Sequence, residues 1–148
     1  MQKINQINYY ADVNAAFAGG KANTTIDVVD TFTVEKVEGL KPGDAVARGT
    51  DKGVQVVKAT AATDVIGVVV HSHKEPSDPY YAQYDAVNIM TFGDIYVEVA
   101  SNVTAGDAAK LSADGKWQGA AGDGTEVAGC HFLTGAKTGE LAVLRIRK

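Results

Sequence analysis

Covalent and aromatic reinforcement is scarce in this sequence. Its 148 residues include one cysteine, Cys130, one tryptophan, Trp117, and three prolines, and aromatic residues make up 7% of the chain. A lone cysteine excludes an intramolecular disulfide, so stability must come from packing or assembly, and Cys130 itself reads as a small buried hydrophobe. No run of about 18 apolar residues is present, and no basic stretch followed by an apolar centre opens the sequence. Neither a membrane span nor secretion is therefore expected, and synthesis in a cytoplasm fits. Without a secretory route, the sequons at Asn23 and Asn102 are read as chance. Cations are not in surplus either: 14 Lys and Arg face 18 Asp and Glu, for a formal charge of -4. Neutralising phosphate needs clustered Lys and Arg, so nucleic acid is not an expected partner.

Catalytic patterns are missing as well. There is no Gly-x-Ser-x-Gly elbow, no phosphate loop, no dinucleotide fingerprint, no His-Glu-x-x-His and no paired-cysteine metal spacing. The imidazoles of His71, His73 and His131 would make a zinc site only if their strands converged, and strand-end histidines exposed to solvent are the simpler reading. Asp44 and Asp107 follow glycine at related places, which suggests an acid and base pair. Aspartates that accept backbone N–H bonds in reversals explain the same pattern. No enzyme activity, cofactor or metal is expected.

What the chain does contain is a repeated unit. Leu40, Gly43 and Asp44 are answered by Val103, Gly106 and Asp107, Asp51 by Asp114 and Gln55 by Gln118. Val54 falls on Trp117, Phe32 to Glu35 overlay Ile95 to Glu98, and after a one-residue shift Val68 meets Cys130. Repetition of this kind marks a duplicated structural unit. The 16 glycines supply turns, and Val- and Thr-rich runs with alternating polarity supply strands. The fold class is all-β: a compact β-barrel or sandwich built from two related β-meander halves, with an extended N-terminal arm. The expected boundaries are an arm over 1–23 and one β domain over 24–148, with halves at about 30–71 and 93–148 and a connector at 72–92.

Two stretches have no partner in the repeat. The arm carries Tyr9, Tyr10 and Phe17, and the connector carries Tyr80, Tyr81 and Tyr84. Rings of this kind anchor segments against protein partners, so these six residues are the candidate partner interface. The competing reading is that the connector rings cover the open end of a barrel. With Trp117, Tyr80, Tyr81 and Tyr84 would also suit a sugar-binding face.

A small acidic chain with strands around Leu40-Lys41-Pro42-Gly43-Asp44-Ala45-Val46 and Thr63-Asp64-Val65-Ile66-Gly67-Val68-Val69 resembles the capsid decoration, or structural cement, proteins of tailed bacteriophages. The resemblance covers most of residues 30–148. It implies a structural protein on the outside of a virion, assembled in the host cytoplasm, often a homo-trimer, that stabilises the shell by binding across major capsid protein subunits. The alternative is a carbohydrate- or host-surface-binding β-module of a phage fibre or tail.

Overall fold

The computed structural model describes residues 16–72 and 78–148. Among these residues nine strands form one continuous hydrogen-bonded sheet: β1 (Val28–Val34), β2 (Ala45–Arg48), β3 (Gln55–Lys58), β4 (Gly67–Val69), β5 (Ala86–Glu98), β6 (Ala108–Leu111), β7 (Trp117–Gln118), β8 (Thr125–Phe132) and β9 (Leu141–Arg147). The order is β1-β3-β2-β4-β5-β9-β8-β6-β7, and a further pairing of β1 with β5 closes the first five strands into a barrel. Closure removes the exposed edges that an open sheet would carry. The only helical element among the described residues is a single 3-10 turn, Ala62–Asp64.

The 13-residue strand β5 serves both halves of the molecule. Its first part pairs antiparallel with β1 and β4, and its second part with β9. Around the second part the pairings of the first barrel recur. β6 pairs with β7 and β8 as β2 pairs with β3 and β4. The parallel contact of Val34 with Val56 returns as the parallel bridge of Val99 with Trp117. The bridge of Leu40 with Tyr81 returns as that of Val103 with Ala136. The duplication read from the turns is thus present in the hydrogen bonding.

Two details of the register differ from the sequence overlay. Val34 corresponds to Val99 rather than Val97, and Trp117 corresponds to Val56 rather than Val54. Both slips are of two residues, so each side chain keeps its face of the sheet. The cause is loop length. Five residues (35–39) separate Val34 from Leu40, whereas three (100–102) separate Val99 from Val103. Seven (49–55) separate Arg48 from Val56, whereas five (112–116) separate Leu111 from Trp117. A third difference is of one residue and so changes the face: Cys130 lines up with Gly67 rather than Val68, because Phe132 pairs with Leu144 as Val69 pairs with Ile89.

Period-two alternation divides the core. Val46, Val69 and Ile89 point into the first barrel with Phe32, Val34, Val56 and Tyr81. Their neighbours Ala45, Ala47, Val68 and Met90 point the other way and pack with Trp117, Phe132 and Leu144 of the second unit. The first barrel is therefore filled inside and covered outside by its duplicate. Volume is redistributed between the copies. Val56 and Tyr81 hold the places that Trp117 and Ala136 hold in the second unit, so a large ring fills each interior from a different wall.

The N-terminal segment is stitched to this body. Gly19 N–H donates to Tyr96 O at 2.8 Å, Tyr96 N–H to Gly20 O at 2.9 Å and Ala22 N–H to Asp94 O at 3.0 Å. Residues 19–22 so extend the sheet along β5, and His71 N–H donates to Gly19 O at 2.9 Å on their other side.

Candidate functional site

The acidic residues that suggested chemistry serve turns. Asp44 Oδ2 accepts from Lys41 N–H at 2.9 Å, and Asp107 Oδ2 accepts from Thr104 N–H at 2.9 Å. His131 lies opposite Ala108 and Arg145 in the sheet, while the ring of His71 meets Phe17 edge to face with centroids 4.9 Å apart. His73 lies outside the described residues. Among the described residues, no group of three His, Cys, Asp or Glu side chains is placed to hold a metal ion.

Among the described residues one charged side chain is buried. Asp94, 3% exposed, receives Arg145 Nε at 2.7 Å and Arg145 Nη2 at 2.8 Å, and also Asn23 Nδ2 at 2.7 Å. The guanidinium bonds dominate over the cost of burial and hold the Asp94 carboxyl at about 2. This two-pronged pair is the geometry that gives charge-assisted bonds their strength. Its role is mechanical: it clamps the chain leaving the N-terminal segment onto β5. No local pattern signals it, since Asn23, Asp94 and Arg145 are far apart along the chain.

The candidate interface residues separate into different classes. Tyr9 and Tyr10 lie outside the described residues. Phe17 is half exposed and covers His71. Tyr81 is a correction: it is 0% exposed and belongs to the interior of the first barrel. Its hydroxyl is shared among backbone groups of Val70 and Ser72, accepting from Ser72 N–H at 2.8 Å. A ring so enclosed is part of the scaffold. Tyr80 is half-buried and lies across Gly39, where an added Cβ would come within 2.5 Å of its ring. Its hydroxyl donates to Val37 O at 3.2 Å, bracing the 35–39 turn. Tyr84 projects outward and is 72% exposed.

Beside Tyr84 the 35–39 turn presents Val37, 71% exposed. Tyr84 and Val37 line one shallow depression together with Glu35, Lys36, Glu38, Thr50, Gln55 and Gln83. Gln83 Nε2 donates to Glu35 O at 2.9 Å. The backbone N–H of Thr50 at 2.7 Å and its hydroxyl at 2.8 Å hold the Glu35 carboxyl below its usual range. The depression has a bonded floor, and its lining offers no convergent acid, base or nucleophile.

Comparison with known proteins points one way. The sequence model of the family described as "Structural cement protein (E217 gp24/Pam3 gp6)" matches residues 5–147. A structure from the capsid of Myoviridae phage XM1 superposes with a TM-score of 0.67 at 23% identity, covering 89% of this chain and 90% of that one. The N base of the head fibre gp8.5 of bacteriophage phi29 superposes with a TM-score of 0.57 at 16% identity, covering 82% of this chain and 95% of that one. Both likenesses establish a shared fold. Among curated protein sequences nothing matches.

Proposed function

This chain belongs to the phage structural cement protein family, and from that premise we propose that it clamps the outside of a bacteriophage shell by bridging neighbouring major capsid protein subunits. The observation that carries the reading is the family match over residues 5–147, which takes in the N-terminal segment as well as the β-body. Capsid stabilisation is the work of a structural protein, and in this reading Asp44 and Asp107 serve turns while Asp94 serves an internal clamp.

We take residues 1–23 as an arm and 24–148 as one body, with Tyr9, Tyr10, Phe17, Tyr80 and Tyr84 as partner contacts. Tyr81 supports them from the core. A homo-trimer, assembled in the host cytoplasm and free of direct DNA contact, suits an acidic clamp on a symmetric shell. A ligand that binds only the mature lattice stabilises it by mass action, about 2.7 kcal/mol per site when present at a hundredfold excess over its Kd. Several weak contacts per molecule then combine through multivalency.

The test is addition of purified protein to undecorated mature capsids, with occupancy read by co-sedimentation and shell stability by the temperature of DNA release. Saturable binding with a raised release temperature supports the reading; absence of binding overturns it. The likeness to a head-fibre base favours a second reading, a fibre or tail module that binds host carbohydrate. A glycan array without hits removes that one.

A further inference from the structure

The duplication supplies an internal control for each position of the first unit. Tyr84 N–H donates to Val34 O at 2.8 Å, as Gly139 N–H donates to Val99 O at 2.8 Å. The surrounding turns match bond for bond. Ala82 N–H reaches Asp85 Oδ2 at 2.9 Å and Lys137 N–H reaches Glu140 Oε2 at 3.0 Å. Both positions are left-handed, with φ of 68° at Tyr84 and 84° at Gly139. Glycine adopts this backbone without a steric penalty, whereas a bulky residue there is strained. Tyr84 is the only non-glycine residue with positive φ among the described residues.

Strain is tolerated when packing repays it, but the Tyr84 ring is 72% exposed and packing within this chain does not. Two further departures of the first unit from its copy lie in the same place. The two loops that are longer by two residues, 35–39 and 49–55, are joined by the bonds between Glu35 and Thr50, and they flank Tyr84. Val37 belongs to the first of these insertions, and Tyr80 braces it. The shared scaffold has been modified where it presents two exposed apolar side chains.

We propose that this pole is a docking surface for a protruding loop of the capsid subunit, with Tyr84 and Val37 as its anchors. The occupant's chemistry follows from the rim. Glu35 is satisfied by Thr50 and faces Lys36 Nζ at 3.6 Å, while Glu38 has no ion pair among the described residues. Lys36 offsets Glu35 and leaves Glu38 as the one uncompensated charge of the rim, so the loop that fits presents an aliphatic side chain next to a Lys or Arg that meets Glu38. This inference rests on the capsid-clamp reading above.

The test compares wild type with Tyr84→Gly, Val37→Asp and Glu38→Lys on undecorated capsids, alongside thermal melts of the free proteins. Tyr84→Gly is expected to leave the melting temperature unchanged or raised while cutting capsid affinity by about tenfold or more, as loss of an aromatic anchor does. Val37→Asp and Glu38→Lys should weaken capsid binding with little change in melting. Wild-type affinity in Tyr84→Gly overturns the proposal, as does a lowered melting temperature in that variant, which would make Tyr84 structural. If the variants instead lose self-association in sedimentation velocity with capsid affinity intact, the pole joins copies of this chain and the capsid assignment is wrong. Failure of wild type to bind capsids counts against the clamp reading itself, separately from these comparisons.

Discussion

The indole Nε1–H of Trp117 donates to the carbonyl oxygen of Gly43 at 3.0 Å, tying the one tryptophan of the second unit to the turn that opens the first. Trp117 is 2% exposed and its ring fills the second interior, so the bond and the packing act on the same seam.

Trp117→Phe keeps most of the apolar volume and leaves the Gly43 carbonyl without its donor. A buried acceptor so stranded costs about 1–3 kcal/mol. Since about 1 kcal/mol shifts a chain of this size by roughly 2–4 °C, the melting temperature should fall by a few degrees. Trp117→Ala adds a cavity and should cost about 3–5 kcal/mol. Urea unfolding followed by far-ultraviolet circular dichroism ranks the two. Equal stability of Trp117→Phe and wild type would remove the bond from the account of the seam.

Asp94 makes stability depend on acid. Its carboxyl titrates at about 2 in the fold, against about 3.9 in an unfolded chain. A depressed folded value means that the contribution, about 2 kcal/mol, is complete above about pH 4 and is lost as pH falls toward 2. Asp94→Asn abolishes this term and leaves Arg145 without its carboxylate. The variant should therefore be less stable than wild type at pH 7, with the gap narrowing between pH 4 and pH 2. Denaturant midpoints at those pH values check it, and a gap constant with pH would show that the clamp contributes no charge term.

How much of this was legible in the sequence depends on what fixes each feature locally. The Gly43-Asp44 and Gly106-Asp107 turns announced the duplication because each glycine has positive φ and each aspartate caps its own turn. The fold class followed, since alternating Val and Thr runs between such turns have few other solutions. Register did not follow, because loops of unequal length move an overlay by two residues without disturbing the alternation. Nor was the difference among the tyrosines visible. Tyr81 pairs with Leu40, Tyr80 lies over Gly39 and Tyr84 stands free, and each placement depends on a contact from a distant strand or turn.

Cys130 should be chemically silent in the fold. Its side chain is 5% exposed, and burial pushes the thiol up to about 11. At pH 8 almost none of it is thiolate, the form that reacts. Native protein should therefore release negligible colour with an aromatic disulfide reagent over minutes, and one thiol per chain should appear on adding denaturant. Rapid labelling without denaturant would mean that β8 opens readily next to the end of β9.

Gly19 and Gly106 separate backbone strain from docking of the N-terminal segment. Both have positive φ, 77° and 94°. A Cβ on Gly106 meets nothing within 4 Å, whereas one on Gly19 would lie 2.5 Å from Pro42 Cβ, 2.8 Å from His71 N and 2.9 Å from Val69 O. Gly106→Ala should then cost only the left-handed strain, about 1–2 kcal/mol. Gly19→Ala carries the same strain and a collision with backbone that cannot yield, so it should prise residues 19–22 from β5 and expose the linkage before Thr24 to proteases. Limited proteolysis with mass spectrometry reads that release directly, and urea midpoints give its cost. If the two variants are cut at the same rate and melt alike, the segment is not held by the seat at Gly19, and Asp94 with Asn23 must hold it instead.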